Sequence, residues 1–248
     1  MMMHKIFTVT LAIVALIGAD SNALADGSLP VVTHAASRPG EPPLVSLRGE
    51  HLGAVVARNN AEDAGLTEIA NNLTQYANSP YWGWLGYAVI GPGQEAGKGT
   101  EQWLATAFTP KANHVATKVE VAAEFDYGTN AVVLSLYDDA GGVPGKPLRS
   151  WQLTNLPHAV CCTVASGSDK RGIPLTGGKQ YWVVMRTNAK DADSVVLWAL
   201  TEFANVQKHG ASWALYCDGP ECPSSWKNPG WNIFTHMLYG LAFAVFGK

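Results

Sequence analysis

The chain has 248 residues, 47% of them hydrophobic and 15% charged, with a net charge of −3. That balance argues against disorder, which needs more charge and fewer apolar side chains, and the lack of any basic run argues against a nucleic-acid partner. With 25 Gly and 14 Pro it suits short strands joined by turns.

The chain opens with His4 and Lys5, then an apolar run from Ile6 to Ile17. A transmembrane helix needs about 20 apolar residues, so the run is too short to span a bilayer. Ala23 and Ala25 follow in the A-x-A arrangement of a signal-peptidase site. The expectation is a leader, residues 1–25, cleaved after Ala25, and a secreted or periplasmic protein with no membrane span in its mature part. Residues 26–72 carry Pro30, Pro39, Pro42 and Pro43 and read as an N-terminal extension. Within it, Asn60 to Leu73 has Leu66, Ile69 and Leu73 at helical spacing and predicts one short helix.

Residues 73–248 read as a β-sandwich domain. Gln102 to Thr109 alternates, with Trp103, Ala105 and Ala107 on one face. In Lys118 to Asp126, Val119, Val121, Ala123 and Phe125 face one way, while Lys118, Glu120, Glu124 and Asp126 face the other. Ala131 to Tyr137 puts Val132, Leu134 and Leu136 together and ends in a Gly-rich turn at 138–145. Leu148 to Leu153 is a further strand. Lys179 to Thr187 and Ser194 to Leu200 read as a hairpin, and Ala211 to Tyr216 and Leu241 to Phe246 close the pattern. Eight to ten short strands without intervening helices predict an all-β, jelly-roll-like sandwich. In these strand patterns Trp103, Trp151, Trp182 and Trp198 are expected in the core.

Four cysteines, Cys161, Cys162, Cys217 and Cys222, suit disulfides in an exported protein. Cys217 and Cys222 flank a turn and could pair, which would leave the adjacent Cys161 and Cys162 to each other. Crossed pairing between the two groups avoids that strain and is the favoured expectation. Their spacing does not match a structural zinc site.

The segment Leu134-Ser135-Leu136-Tyr137-Asp138-Asp139-Ala140-Gly141-Gly142-Val143-Pro144-Gly145-Lys146-Pro147-Leu148 follows the strand after Ala107-Phe108-Thr109-Pro110. It precedes Leu175-Thr176-Gly177-Gly178-Lys179-Gln180-Tyr181-Trp182-Val183-Val184 and then Trp198. This order resembles the bacterial exported domains called choice-of-anchor R, from about Leu73 onward. The resemblance implies a β-sandwich on a surface or secreted protein and brings no activity or catalytic residue. No sorting segment follows Val245-Phe246-Gly247-Lys248, so free export is expected rather than anchoring.

Few residue patterns point to chemistry. Glu120, Glu124 and Asp126 share a strand face, and two carboxyls about 5–5.5 Å apart would serve a retaining glycosidase. The competing and preferred expectation is a solvated outer face. Asp138 and Asp139 read as turn formers rather than calcium ligands. No catalytic residue, metal or cofactor is expected. The aromatic residues Trp82 and Trp84, beside Pro80, and Trp226 and Trp231, among Pro223, Pro229 and Gly230, read as loop residues. Each offers a flat apolar face with an N–H, suited to stacking on a sugar or to plugging an end of the sandwich. The expected function is non-catalytic adhesion or carbohydrate binding, with a polysaccharide or another surface component as partner. A secreted glycan or ester hydrolase and a structural envelope protein are the alternatives.

Overall fold

The computed structural model describes residues 33–35, 44–46, 65–73, 82–158, 163–187, 193–202, 211–237 and 239–248. The predicted leader and the pair Cys161 and Cys162 lie outside them. Within them the chain is all-β. In chain order the strands are β1 (Thr33–Ala35), β2 (Leu44–Ser46), β3 (Thr67–Asn71), β4 (Trp82–Ile90), β5 (Glu101–Phe108), β6 (His114–Gly128) and β7 (Ala131–Asp139). Then come β8 (Pro144–Thr154), β9 (Thr163–Leu175), β10 (Tyr181–Thr187), β11 (Ser194–Glu202), β12 (Ala211–Asp218), β13 (Gly230–Met237), β14 (Tyr239–Leu241) and β15 (Phe243–Gly247).

The named strands pair antiparallel and form a sandwich of two layers. One layer runs β1-β2-β4-β11-β6-β9, with β15 and β3 beside the first half of β6. The other runs β13-β12-β5-β10-β7-β8. A single cross-strand pair, Ile90 with Gln102, links β4 to β5 where the layers meet. The core lies between the layers and draws on alternate residues of both. Val119, Val121, Val196, Trp198 and Phe243 come from the first layer, and Leu104, Leu134, Leu136, Met185 and Leu215 from the second. Burying one such large apolar side chain contributes about 1.5–3 kcal/mol. The alternation read in β6 and β7 therefore points the way the sequence predicts.

Three expectations are corrected. The segment predicted as a helix is strand β3 where it is described. Gly65, at φ +91°, enters it in a conformation that favours glycine. Thr67–Asn71 then pairs with β15, whose backbone offers partners that helical spacing alone does not reveal. Three strands of the predicted extension thus join the sheet. The predicted hairpin of β10 and β11 does not form: β10 pairs with β5 and β7, and β11 with β4 and β6. Both strands carry apolar inner faces, and they meet across the core rather than edge to edge.

The third correction concerns the charged face of β6. Glu120 and Glu124 are only 3% and 2% exposed, so this face is not solvated. Lys118 Nζ lies 2.8 Å from Glu120 Oε1 and compensates a carboxylate that would otherwise be costly to bury. Beside them Leu73, Ala122, Ala199, Ala244 and Phe246 form a second apolar cluster on the outer side of the layer.

Candidate functional site

The predicted site tryptophans separate. Trp82 and Trp84 belong to strand β4 rather than to a loop, and their side chains lie outside the described residues. Trp226 is a loop residue, as expected. Its amide donates to Pro223 O at 2.9 Å, and its ring meets Phe234 edge-on at 5.8 Å. Phe234 stacks on Trp213 at 4.5 Å, and Trp213 on Tyr87 at 4.7 Å. Trp226 therefore ends an internal aromatic stack and plugs the sandwich.

Trp231 is a strand residue. The turn signal of Pro229-Gly230 hides this in the sequence, because β13 begins at Gly230. It faces outward. Tyr216 of β12 is its cross-strand partner, and Trp103 of β5 is the partner of Tyr216 on the other side. One row of aromatic residues thus crosses three adjacent strands in register. Trp103 and Tyr216 stack at 4.3 Å, and Trp231 stands at 65–67° to both, 5.6 and 6.2 Å away. Such pairs contribute about 0.5–1.5 kcal/mol beyond their burial. All three rings are partly exposed. Arg186 of β10 extends the row, its guanidinium 5.7 Å from the Trp103 ring.

One flank of the row is polar. Glu101 and Asp218 are cross-strand partners on the same outer face, one step beyond Trp103 and Tyr216. Trp103 Nε1 donates to Glu101 Oε2 at 3.1 Å. Burial raises the Tyr216 hydroxyl above the usual phenol range, and the nearby carboxylates of Asp218 and Glu101 raise it further. The loop after β12 is fixed at several points. Cys217 and Cys222 form a disulfide with Cα atoms 6.0 Å apart, so the pairing is within the loop rather than crossed. The four residues between them are few enough for the loop to close locally, and no second strand is needed. Asn228 exchanges two hydrogen bonds with Gly219, its Oδ1 accepting at 3.2 Å and its Nδ2 donating at 2.7 Å. The amide of Glu221 donates to Thr100 Oγ1 at 2.9 Å, beside the start of β5.

Sequence patterns missed Trp103, Tyr216 and Arg186. The strand pattern predicts Trp103 in the core, but it shares its face with Ala105 and Ala107, while Leu104 and Phe108 face inward. The richer apolar set on the alternate positions is the signal that gives its direction. Trp151 is likewise only partly buried. Its ring rests on Gly167, where a Cβ would fall 2.4 Å from ring atoms, and its Nε1 donates to Ser168 O at 2.9 Å. Trp182 and Trp198 are fully buried as expected. Trp182 reaches that state on the outer face of its layer, donating to Asp139 Oδ1 at 2.8 Å.

The acidic residues considered for hydrolysis are poorly placed for substrate. Glu120 and Glu124 are buried, and Lys118 pairs with Glu120. Asp126 is raised by burial, an effect that the charge of His158 offsets in part. Asp139 serves the turn: it accepts from the amides of Gly141 and Gly142 and from the Gln180 side chain as well as from Trp182. Among the described residues the exposed large hydrophobic side chains are Val115, Leu148 and Ile233, each on a different strand.

No family model matches the chain, and neither a curated protein nor a solved structure matches it. Among the described residues no helix is long and apolar enough to cross a membrane.

Proposed function

We propose that this protein is an exported, non-catalytic β-sandwich that binds a polysaccharide on the outer face of β5, β12 and β13. The in-register row of Trp103, Tyr216 and Trp231 carries the reading. Aromatic rings held rigidly on strands offer apolar surface at little entropic cost, and the N–H and O–H groups at their edges suit ligands that are apolar on one face and polar at the rim. The leader-like start, the motif likeness to choice-of-anchor R domains and the Cys217–Cys222 disulfide support export.

The test is a pull-down of the purified protein on insoluble polysaccharides, followed by titration with soluble oligosaccharides and tryptophan fluorescence as the readout. Binding that is retained by Trp226→Ala and lost by at least about tenfold in Trp231→Ala is expected, as for an anchor residue of an interface. Equal binding by wild type and Trp231→Ala would remove the reading.

A further inference from the structure

We infer that the aromatic row selects polysaccharide chains without anionic groups and turns away uronate-containing ones. The inference rests on the polysaccharide reading above and adds the substrate class. Its basis is the pair Glu101 and Asp218, which face each other across β5 and β12 directly beside the stacked Trp103 and Tyr216. Like charges placed directly opposite on neighbouring strands disfavour the sheet, so the fold holds a local negative field along this flank of the row. The Tyr216 hydroxyl registers that field, since both carboxylates push it upward. The opposing cation of the row, Arg186, lies over the Trp103 ring.

The chemistry of this rim favours donors. An ionised carboxylate has about four acceptor positions and no donor. Glu101 receives the Trp103 indole N–H and has acceptor capacity left for sugar hydroxyls. A uronate carboxylate brought to the same place would meet like charge, and acceptor would face acceptor. From Arg186 to Trp231 the row crosses β10, β5, β12 and β13, three strand spacings or about 14 Å. A polymer lying across the strands on this row would run with the acidic pair along one side, two residues or about 7 Å along the strands.

The experiment titrates the full protein with hexasaccharides of cello-, xylo-, manno- and chito-series and with hexagalacturonate, at low and high salt. One neutral series should bind at least about tenfold tighter than the uronate at low salt, because like-charge juxtaposition disfavours the wrong ligand by that much or more. The gap should narrow at about 1 M salt, where screening acts within about 3 Å. It should narrow also in Glu101→Gln/Asp218→Asn, a variant that keeps shape and removes charge. Uronate binding that equals or exceeds neutral binding and is lost in Trp231→Ala would overturn this inference and leave the polysaccharide reading intact. No binding of any series to wild type would overturn both.

Discussion

Strands β12 and β13 carry aromatic residues on both of their faces, and the two sets differ in what they do. Inward, Trp213 and Phe234 stack with each other and with Tyr87 inside the core. Outward, Tyr216 and Trp231 join Trp103 in a partly exposed row. Residue type does not separate them. Parity along the strand does, because each step of one residue moves a side chain to the opposite face. The inner set is buried in the core, and the outer set stays partly open to solvent.

That contrast can be broken by mutation. Trp213→Ala should have the largest effect, a loss of about 3–5 kcal/mol from removing a large buried ring. Urea unfolding measures it, and a loss under about 1 kcal/mol would mean the core tolerates the cavity. Next comes the double variant Cys217→Ser/Cys222→Ser. The chain-entropy relation for so short a loop gives about 2 kcal/mol. The same measurement in oxidised and reduced wild type should agree with it. Trp231→Ala follows, with about 1 kcal/mol of stability lost, the scale of an exposed aromatic pair. If it costs as much as Trp213→Ala, the two faces are equivalent and the contrast fails.

The smallest effect sharpens the comparison at Trp182, an outward residue that is buried nonetheless. Its partner Asp139 is pushed up by partial burial, but hydrogen bonds from Trp182, Gly142, Gln180 and Gly141 outweigh that and hold its carboxyl below the usual range. A carboxyl depressed in the folded state stabilises at pH values above its unfolded pKa, and the contribution fades as pH falls through the folded pKa. Asp139→Asn should therefore be less stable than wild type at pH 7, with the difference shrinking below about pH 4. Paired urea titrations at pH 7 and pH 3 test this. A difference that grows on acidification contradicts the sign.

Much of the sandwich is legible in the sequence. The alternation of Val119, Val121 and Ala123 and of Val132, Leu134 and Leu136 gives both the strands and their inward faces. What alternation does not give is partnership. β10 and β11 look like a hairpin because they are neighbours in sequence, yet each belongs to a different layer. Leu66, Ile69 and Leu73 fit helical spacing, but the edge of β15, distant in sequence, pairs with this segment and decides the outcome. The candidate site was legible in part, through Trp231. Trp103 and Tyr216 become neighbours of Trp231 only through the register of β5, β12 and β13, a long-range property that no local pattern contains. Alternation alone predicts Glu120 and Glu124 in water for the same reason: the residues that cover a face are not read from that face.

Asn72 shows what such distant pairing demands of the chain. Its buried carboxamide donates to Leu241 O at 2.8 Å and accepts from the amide of Phe243, while its own amide donates to Phe243 O at 3.0 Å. Strand β3, made early, thus waits for a segment translated about 170 residues later before its hydrogen bonds can close. Contacts of such long range slow folding. A ribosome would hold this polypeptide open until β15 emerges, and a cut between β14 and β15 would leave β3 with an unmatched edge.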